Sequence, residues 1–328
     1  MKRTDRSITK QSVETMLQYL IILLDDTSVS YCHYENRRTE RRLIDIEDLR
    51  SGILFAMKEN LNIQFVYPDY DIPQEYKDLI ESIDHTKIMP AGNCDGADVV
   101  VIDGIERIAD TAFDTSLTYV LRTDLKELCR NISDIGEVLE KAARLNIVLT
   151  DIETFTEADF TEYSAALRKL ATKTEELYAD GKTPQLNILT DRMMLDAMNN
   201  CGAGDTNITL APDGRFYVCP AFYLSEVGHD IGSPADGLAI ANPQLYKLSH
   251  APLCRNCDAY QCRRCVWMNR RTTLEVNTPS HEQCVTAHIE RNASRELLAA
   301  IRKHGEFMAG REIVENDCLD PFDNREEW

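Results

Sequence analysis

Seven of the chain's 11 cysteines crowd into one stretch: Cys201, Cys219, Cys254, Cys257, Cys262, Cys265 and Cys284. The other four, Cys32, Cys94, Cys129 and Cys318, are scattered over the rest. Thiolates are soft ligands, and seven in one region are enough for more than one metal centre. Cysteines three residues apart can direct both sulfurs to one metal. Cys254, Cys257, Cys262 and Cys265 form two such pairs and could make one zinc site. That arrangement leaves Cys201, Cys219 and Cys284 without a purpose. The array therefore points to iron–sulfur clusters or zinc.

Composition narrows the setting. A net charge of −19 repels phosphate backbones, so no nucleic-acid partner is expected. The longest apolar run, 19–24, falls far short of a membrane span, so no membrane partner is expected either. The N-terminal residues Met1 to Asp5 are basic but lack the apolar core of a signal peptide. A cytoplasmic location is expected. Thiols stay reduced there, so grouped cysteines suggest metal rather than disulfides.

The elements that must position these thiols begin with an α/β pattern. Apolar runs at 19–24, 63–67, 99–102, 117–121, 146–149 and 186–189 read as six strands. Ile46, Leu49, Ile53 and Met57 recur at helical spacing behind Asp45, a fitting N-cap. Pro73 suits the first turn of a helix reaching residue 83. Further helices are expected over 132–145 and 160–178, the second ended by Gly181. The helical pattern is weakest between the third and fourth strands. Strand–helix alternation predicts a parallel sheet with right-handed crossovers. Six units fit a partial (β/α)6 barrel better than a closed eight-stranded one; a doubly wound sheet is also compatible. Asp25, Asp26, Asp69, Asp103, Asp151 and Asp191 follow strands at once. They either cap the next helices, the commoner use, or form an acidic mouth for a cationic peptide.

From residue 196 the texture changes. Ile208-Thr209-Leu210, Pro212-Asp213-Gly214 and Phe216-Tyr217-Val218 read as strand, turn and strand, with Cys201 before and Cys219 after. The loop-rich stretch that follows has little core of its own, and such stretches usually need metal to fold. Trp267 and Tyr260 sit among its thiols, suited to shielding or packing. A helix is expected over 287–303, then an acidic tail to Trp328. The expected division is an α/β domain over 1–195, a cysteine-rich domain over 196–290, and a C-terminal helix and acidic tail over 291–328.

The cysteine array resembles the SPASM domain, which carries auxiliary clusters in many radical SAM peptide-modifying enzymes. Cys201, Gly214, Cys219, Cys254, Cys257, Cys262, Cys265 and Cys284 match its pattern in order, together with Asp213 before the glycine and Pro220 after the second cysteine. The spacings around Cys262 and Cys265 are each one residue shorter than the usual form. The resemblance implies two 4Fe–4S clusters. Cys201, Cys219 and Cys265 would hold the first, with its fourth ligand unassigned. Cys254, Cys257, Cys262 and Cys284 would hold the second. Cys94, Cys129 and Cys318 read as ordinary thiols, any of which could supply the missing ligand.

Radical SAM enzymes also carry Cys-x3-Cys-x2-Cys just after the first strand. Here Cys32 stands at the first position, but Asn36 and Thr39 occupy the other two. Neither replaces a thiolate on a cluster iron. The glycine-rich stretch expected after the second strand is replaced by Tyr67-Pro68-Asp69-Tyr70. The first half therefore resembles a degenerate radical SAM barrel, and S-adenosylmethionine is not expected to be cleaved by this chain alone. The whole chain is similar to the CXXX repeat peptide maturases, on the segments Tyr19 to Ser30 and Asn62 to Tyr70. That resemblance implies a part in maturing a ribosomally synthesised, cysteine-repeat peptide (RiPP biosynthesis), with a precursor peptide and a catalytic radical SAM enzyme as partners. Two other readings stand beside it. One is a non-enzymatic, metal-stabilised peptide scaffold. The other is an enzyme using Cys32 and His33 as a thiolate–base pair.

Overall fold

The computed structural model describes residues 17–225 and 228–314; Cys318, the acidic tail and the basic N-terminus lie outside the described residues. Seven strands run parallel: β1 (Tyr19–Leu23), β2 (Asn62–Val66), β3 (Thr86–Pro90), β4 (Val99–Asp103), β5 (Thr118–Thr123), β6 (Arg144–Leu149) and β7 (Gln185–Leu186). Each neighbours the next in sequence order. A doubly wound sheet reverses its order at a switch point, whereas an unbroken order winds one way, as a barrel does. The fold is thus the expected partial barrel. β8 (Asn207–Leu210) joins parallel to β1 on its other side, and β9 (Phe216–Tyr217) folds back antiparallel. The Asp213-Gly214 hairpin is where the sequence places it.

The helices are α1 (Ile46–Glu59), α2 (Gln74–Ile80), α3 (Leu125–Arg130), α4 (Ile132–Lys141), α5 (Glu157–Ala179), α6 (Asp191–Met194), α7 (Pro220–Leu224), α8 (Val266–Thr273) and α9 (His281–Ile301). Asp45 caps α1 by accepting the Glu47 N–H, and Ser280 caps α9 by accepting that of Gln283. Gly52 lets α1 lie close on the sheet: a Cβ there would stand 2.3 Å from the Leu210 side chain. Ile22 lies beneath the same helix, while Tyr19 and Ile21 face the barrel interior. β1 is therefore covered on both faces, which explains its unbroken apolar run.

The structure differs from the sequence reading in places. β3 is an additional strand. The crossover from β4 to β5 holds only a 3₁₀ turn, Ile105–Ile108. α4 stops at Lys141 because the apolar residues beyond it belong to β6. α9 begins at His281, earlier than expected, and runs through residue 290 without a break. It packs along α5 and against α6.

Candidate metal centres

The loop after β1 decides where Cys32 goes. Arg122 on β5, with its side chain 3% exposed, reaches across the barrel. Its Nε donates to the Cys32 carbonyl at 2.9 Å and its Nη2 to the Tyr34 carbonyl at 2.7 Å. Nη1 pairs with Asp103 at 2.5 Å. These charge-assisted bonds hold residues 32–34 against the interior. Asn36 closes the loop on itself. Its Nδ2 donates to the carbonyls of Asp26 (2.8 Å) and Ser28 (2.9 Å), and its Oδ1 accepts the Arg38 N–H (3.0 Å). Arg38 in turn pairs with Asp26 at 3.1 Å and donates to the Tyr223 carbonyl on α7. Thr39 is exposed. The three positions of the radical SAM motif thus diverge: one faces the cavity, one ties the loop, and one points to solvent.

Cys32, Cys201, Cys219 and Cys265, with Cys262 beside them, line one cavity of about 670 Å³, formed between the barrel interior and the cysteine-rich segment. Burial raises the thiol pKa values of Cys32, Cys201, Cys219 and Cys265; neighbouring thiols add to the rise at Cys32, Cys219 and Cys265, whereas at Cys201 the Ala203 N–H, Arg264 and Arg263 oppose it. Cys32 is pushed up to about 12 by burial and the neighbouring Cys201, against opposition from Arg263 and Arg122. Backbone N–H groups are aimed at these sulfurs: Ala203 at Cys201, Ala221 and Phe222 at Cys219, and Trp267 and Met268 at Cys265. Each favours the thiolate, as in thiolate sites that tune a metal through hydrogen bonds. The second neighbourhood gathers around Cys262, whose thiol burial raises, with the charges of Cys254, Cys257 and Cys284 adding. Amides of Ala259 and Arg264 lie 3.5 and 3.4 Å from the Cys257 and Cys262 sulfurs, and His288 Nε2 lies 3.6 Å from Cys257.

Two buried groups beside the first neighbourhood have N–H donors left over: the Arg264 guanidinium, whose Nη2 alone is taken, by the Tyr246 carbonyl, and the Trp267 indole. Arg264 is 1% exposed, lowers the Cys201 pKa by its charge, and has both Nε and Nη1 unpaired. The buried Trp267 Nε1 is likewise unpaired. A buried guanidinium with two free N–H groups is costly unless an anion lies next to it. An iron–sulfur cluster held by thiolates is such an anion, so the donor set fits one. Among the described residues, no three His, Cys, Asp or Glu side chains stand close enough to hold a single metal ion. One zinc needs sulfurs within about 4 Å of each other, given Zn–S bonds of about 2.3 Å. A four-iron cube spreads its thiolates wider.

Other sequence candidates fall outside these neighbourhoods. Cys94 and Cys129 do not line the cavity, and burial and Glu162 push the Cys129 thiol up to about 11. His33 bonds through Nδ1 to the Leu149 carbonyl at 2.8 Å, and burial lowers its pKa. Its neighbour Cys32 is protonated at neutral pH, so the pair lacks the activated thiolate of a nucleophile. The strand-end aspartates are mostly engaged within the fold. Asp26 pairs with Arg38, Asp103 with Arg122, and Asp191 with Arg144 at 2.9 Å. Asp25 accepts the Tyr70 hydroxyl, and Asp151 the Leu125 N–H. They serve inward ion pairs and turns more than an acidic mouth.

The rest of the cavity wall is rich in carboxamides. Asn146, Asn200, Gln261 and Gln283 each leave a buried amide oxygen without a partner. Glu290 joins them, accepting from the Tyr163 hydroxyl at 2.8 Å and from Gln261 Nε2 at 3.3 Å. Burial raises its pKa to about 7. Sequence reasoning missed Arg122, Arg264 and this carboxamide wall. No local motif marks them, because their partners are distant in the chain.

No family model matches the chain, and no curated protein matches it. Solved structures do match its fold. One is native anSMEcpe with bound AdoMet and Kp18Cys peptide, with a TM-score of 0.60 and 12% identity over 87% of this chain and 99% of that one. Another, native anSMEcpe with bound AdoMet and Cp18Cys peptide, gives a TM-score of 0.59 and 12% identity over 88% and 99%. This chain shares the fold of anSMEcpe over 99% of that chain.

Proposed function

We propose that this protein acts in the maturation of a ribosomally synthesised, cysteine-repeat peptide, as an auxiliary iron–sulfur protein. Precursor peptide binds in the cavity, where carboxamides can both donate to and accept from a peptide backbone. Cys201, Cys219 and Cys265 hold a first 4Fe–4S cluster, and Cys254, Cys257, Cys262 and Cys284 a second. Bound clusters would supply electron transfer or a seat for a peptide thiolate. The chain's own residues do the rest: amides orient the thiolates, Arg264 balances their charge, and Trp267 shields them. The observation that carries this reading is the division of eight thiols into two groups beside a cavity of peptide-compatible chemistry. The peptide-bound anSMEcpe structures support it as relatives in fold.

With Asn36 and Thr39 in place of two thiolates, the radical step belongs to a partner radical SAM enzyme. Residues 1–195 are the peptide-binding unit and 196–290 the cluster unit, followed by a C-terminal helix and tail. The protein works in the cytoplasm; no helix among the described residues is long and apolar enough to cross a membrane.

A second reading keeps the peptide and drops the redox role. Between α7 and α8 the described residues hold only short two-residue strands and 3₁₀ turns, so zinc or clusters could serve there purely as staples. Iron, sulfide and zinc content of anaerobically purified protein, with visible absorbance before and after dithionite, separates the two. About eight irons and eight sulfides with a bleachable band near ~400 nm support two clusters. Stoichiometric zinc without sulfide refutes the redox reading and leaves the scaffold.

A further inference from the structure

The first cluster of the proposed function has three thiolates, and its fourth position decides what it can do. An open iron binds substrate; a closed one only carries electrons or holds the fold. Cys94 and Cys129 lie away from the cavity. Cys32 does not: it lines the same wall as Cys201, Cys219 and Cys265. Its backbone is fixed there by Arg122, a residue of the barrel itself. Asn36 ties off the remainder of the loop, so Cys32 is separated from the two positions with which a radical SAM motif would use it.

We propose that Cys32 completes the ligand set of the first cluster, which is then held by Cys32, Cys201, Cys219 and Cys265. This rests on the cluster reading above. The loop that holds the reactive cluster in radical SAM enzymes has here given its one remaining thiol to an auxiliary site. Each thiol of the set acts electrostatically on another: Cys201 on Cys32, Cys32 on Cys265, and Cys265 on Cys219. A second observation stands apart from the thiols. Tyr34 is 2% exposed and lines the same cavity, its hydroxyl finds no acceptor although the Tyr31 N–H is directed at it, and the charges of both Cys32 and Cys219 act on it. A buried O–H without an acceptor, beside these thiols, marks room for an acceptor in the cavity that all four line. On binding, the Cys32 S–H bond is replaced by S–Fe; the proton passes to solvent and no electron moves. The cluster is then closed to substrate and joins the β1 loop to the cysteine-rich segment.

The test uses the full chain, anaerobically reconstituted, as wild type, Cys32→Ala, Cys32→Ser and Cys94→Ala. Iron is counted after mild ferricyanide oxidation, and electron paramagnetic resonance is recorded in oxidised and reduced states. Wild type and Cys94→Ala should keep about eight irons and show no three-iron signal. Cys32→Ala should lose iron from one cluster, to between about seven and four, and gain the three-iron signal. Cys32→Ser, whose oxygen can still bind iron, should keep its iron with a shifted reduced spectrum. If Cys32→Ala unfolds, that spectral shift alone decides. Wild-type spectra and full iron in both Cys32 variants overturn this proposal while leaving the clusters standing. Wild type without iron or sulfide overturns the cluster reading and this one with it.

Discussion

Replacing Arg122 with Met tests what that arginine does. The side chain makes three bonds, two to backbone carbonyls and one to Asp103. The Asp103 side chain is 52% exposed, so the ion pair is half-solvated and contributes at most about 1 kcal/mol. The Cys32 and Tyr34 carbonyls are different. Without Arg122 each loses a charge-assisted bond, and each unsatisfied buried group costs about 1–3 kcal/mol. Arg122→Met should therefore cost about 2–6 kcal/mol, and Asp103→Asn less than about 1 kcal/mol. Urea unfolding of both variants beside wild type, in one metal state, reads the difference as a shift in midpoint at constant slope. The thiol of Cys32 should also react faster with an alkylating reagent in Arg122→Met. Equal losses for the two substitutions would refute the reasoning: the arginine would then act through its ion pair, and the loop would be held by something else.

Three further outcomes are expected. Glu290 has a pKa raised from 4.5 to about 7, so between those values the folded state holds a proton that the unfolded state has lost. Stability should fall as pH rises across that window, by about 1–3 kcal/mol after allowing for partial exposure to solvent. Glu290→Gln should flatten the fall, seen in thermal melts at pH 4.5, 6 and 7.5; an unchanged slope would show that Glu290 is ordinary. Gly214 sits at φ +76 in the β8–β9 turn, and a Cβ there would stand 2.5 Å from the Asp48 carboxylate. Gly214→Ala should cost about 1–2 kcal/mol, mostly from the left-handed backbone because Asp48 can move aside; a stabilised variant in urea would contradict the turn geometry. Purified, reconstituted chain with S-adenosylmethionine and reductant should yield no 5′-deoxyadenosine by chromatography, and its appearance would return the radical step to this protein.

Much of the barrel is legible in the sequence because buried parallel strands need unbroken apolar runs, and β1, β4 and β5 have them. β3 escapes because Thr86-Lys87-Ile88-Met89-Pro90 mixes residues that strands disfavour. It tolerates them because Pro90 ends the strand and the Lys87 side chain turns out to Glu81. α3 escapes because it is only six residues long, too short to show a helical repeat, although Asp124 caps it by accepting the Glu127 N–H. The thiol array is legible because metal-binding cysteines must recur at short intervals. Cys32 is not legible as its neighbour, since nothing local records that Arg122 pulls that loop inward across 90 positions of chain. The carboxamide wall is equally silent. Its members sit on β6, on α9 and in two loops, and only the folded chain brings them together.

The pairing of β1 with β8 has a consequence for how the protein is made. Leu20 stands in register with Ile63 on one side and with Ile208 on the other. On the ribosome, the first side can close once β2 has emerged, but the second stays bare until the chain has been extended past the hairpin. Until then a flat, apolar strand edge is open to any passing strand, the usual route to aggregation. A fragment ending at residue 195 should therefore be insoluble on its own, however complete its barrel units look. The same late closure means that a nascent chain stalled before the cysteines cannot finish its barrel, which couples correct folding of the first half to synthesis of the thiol-bearing second.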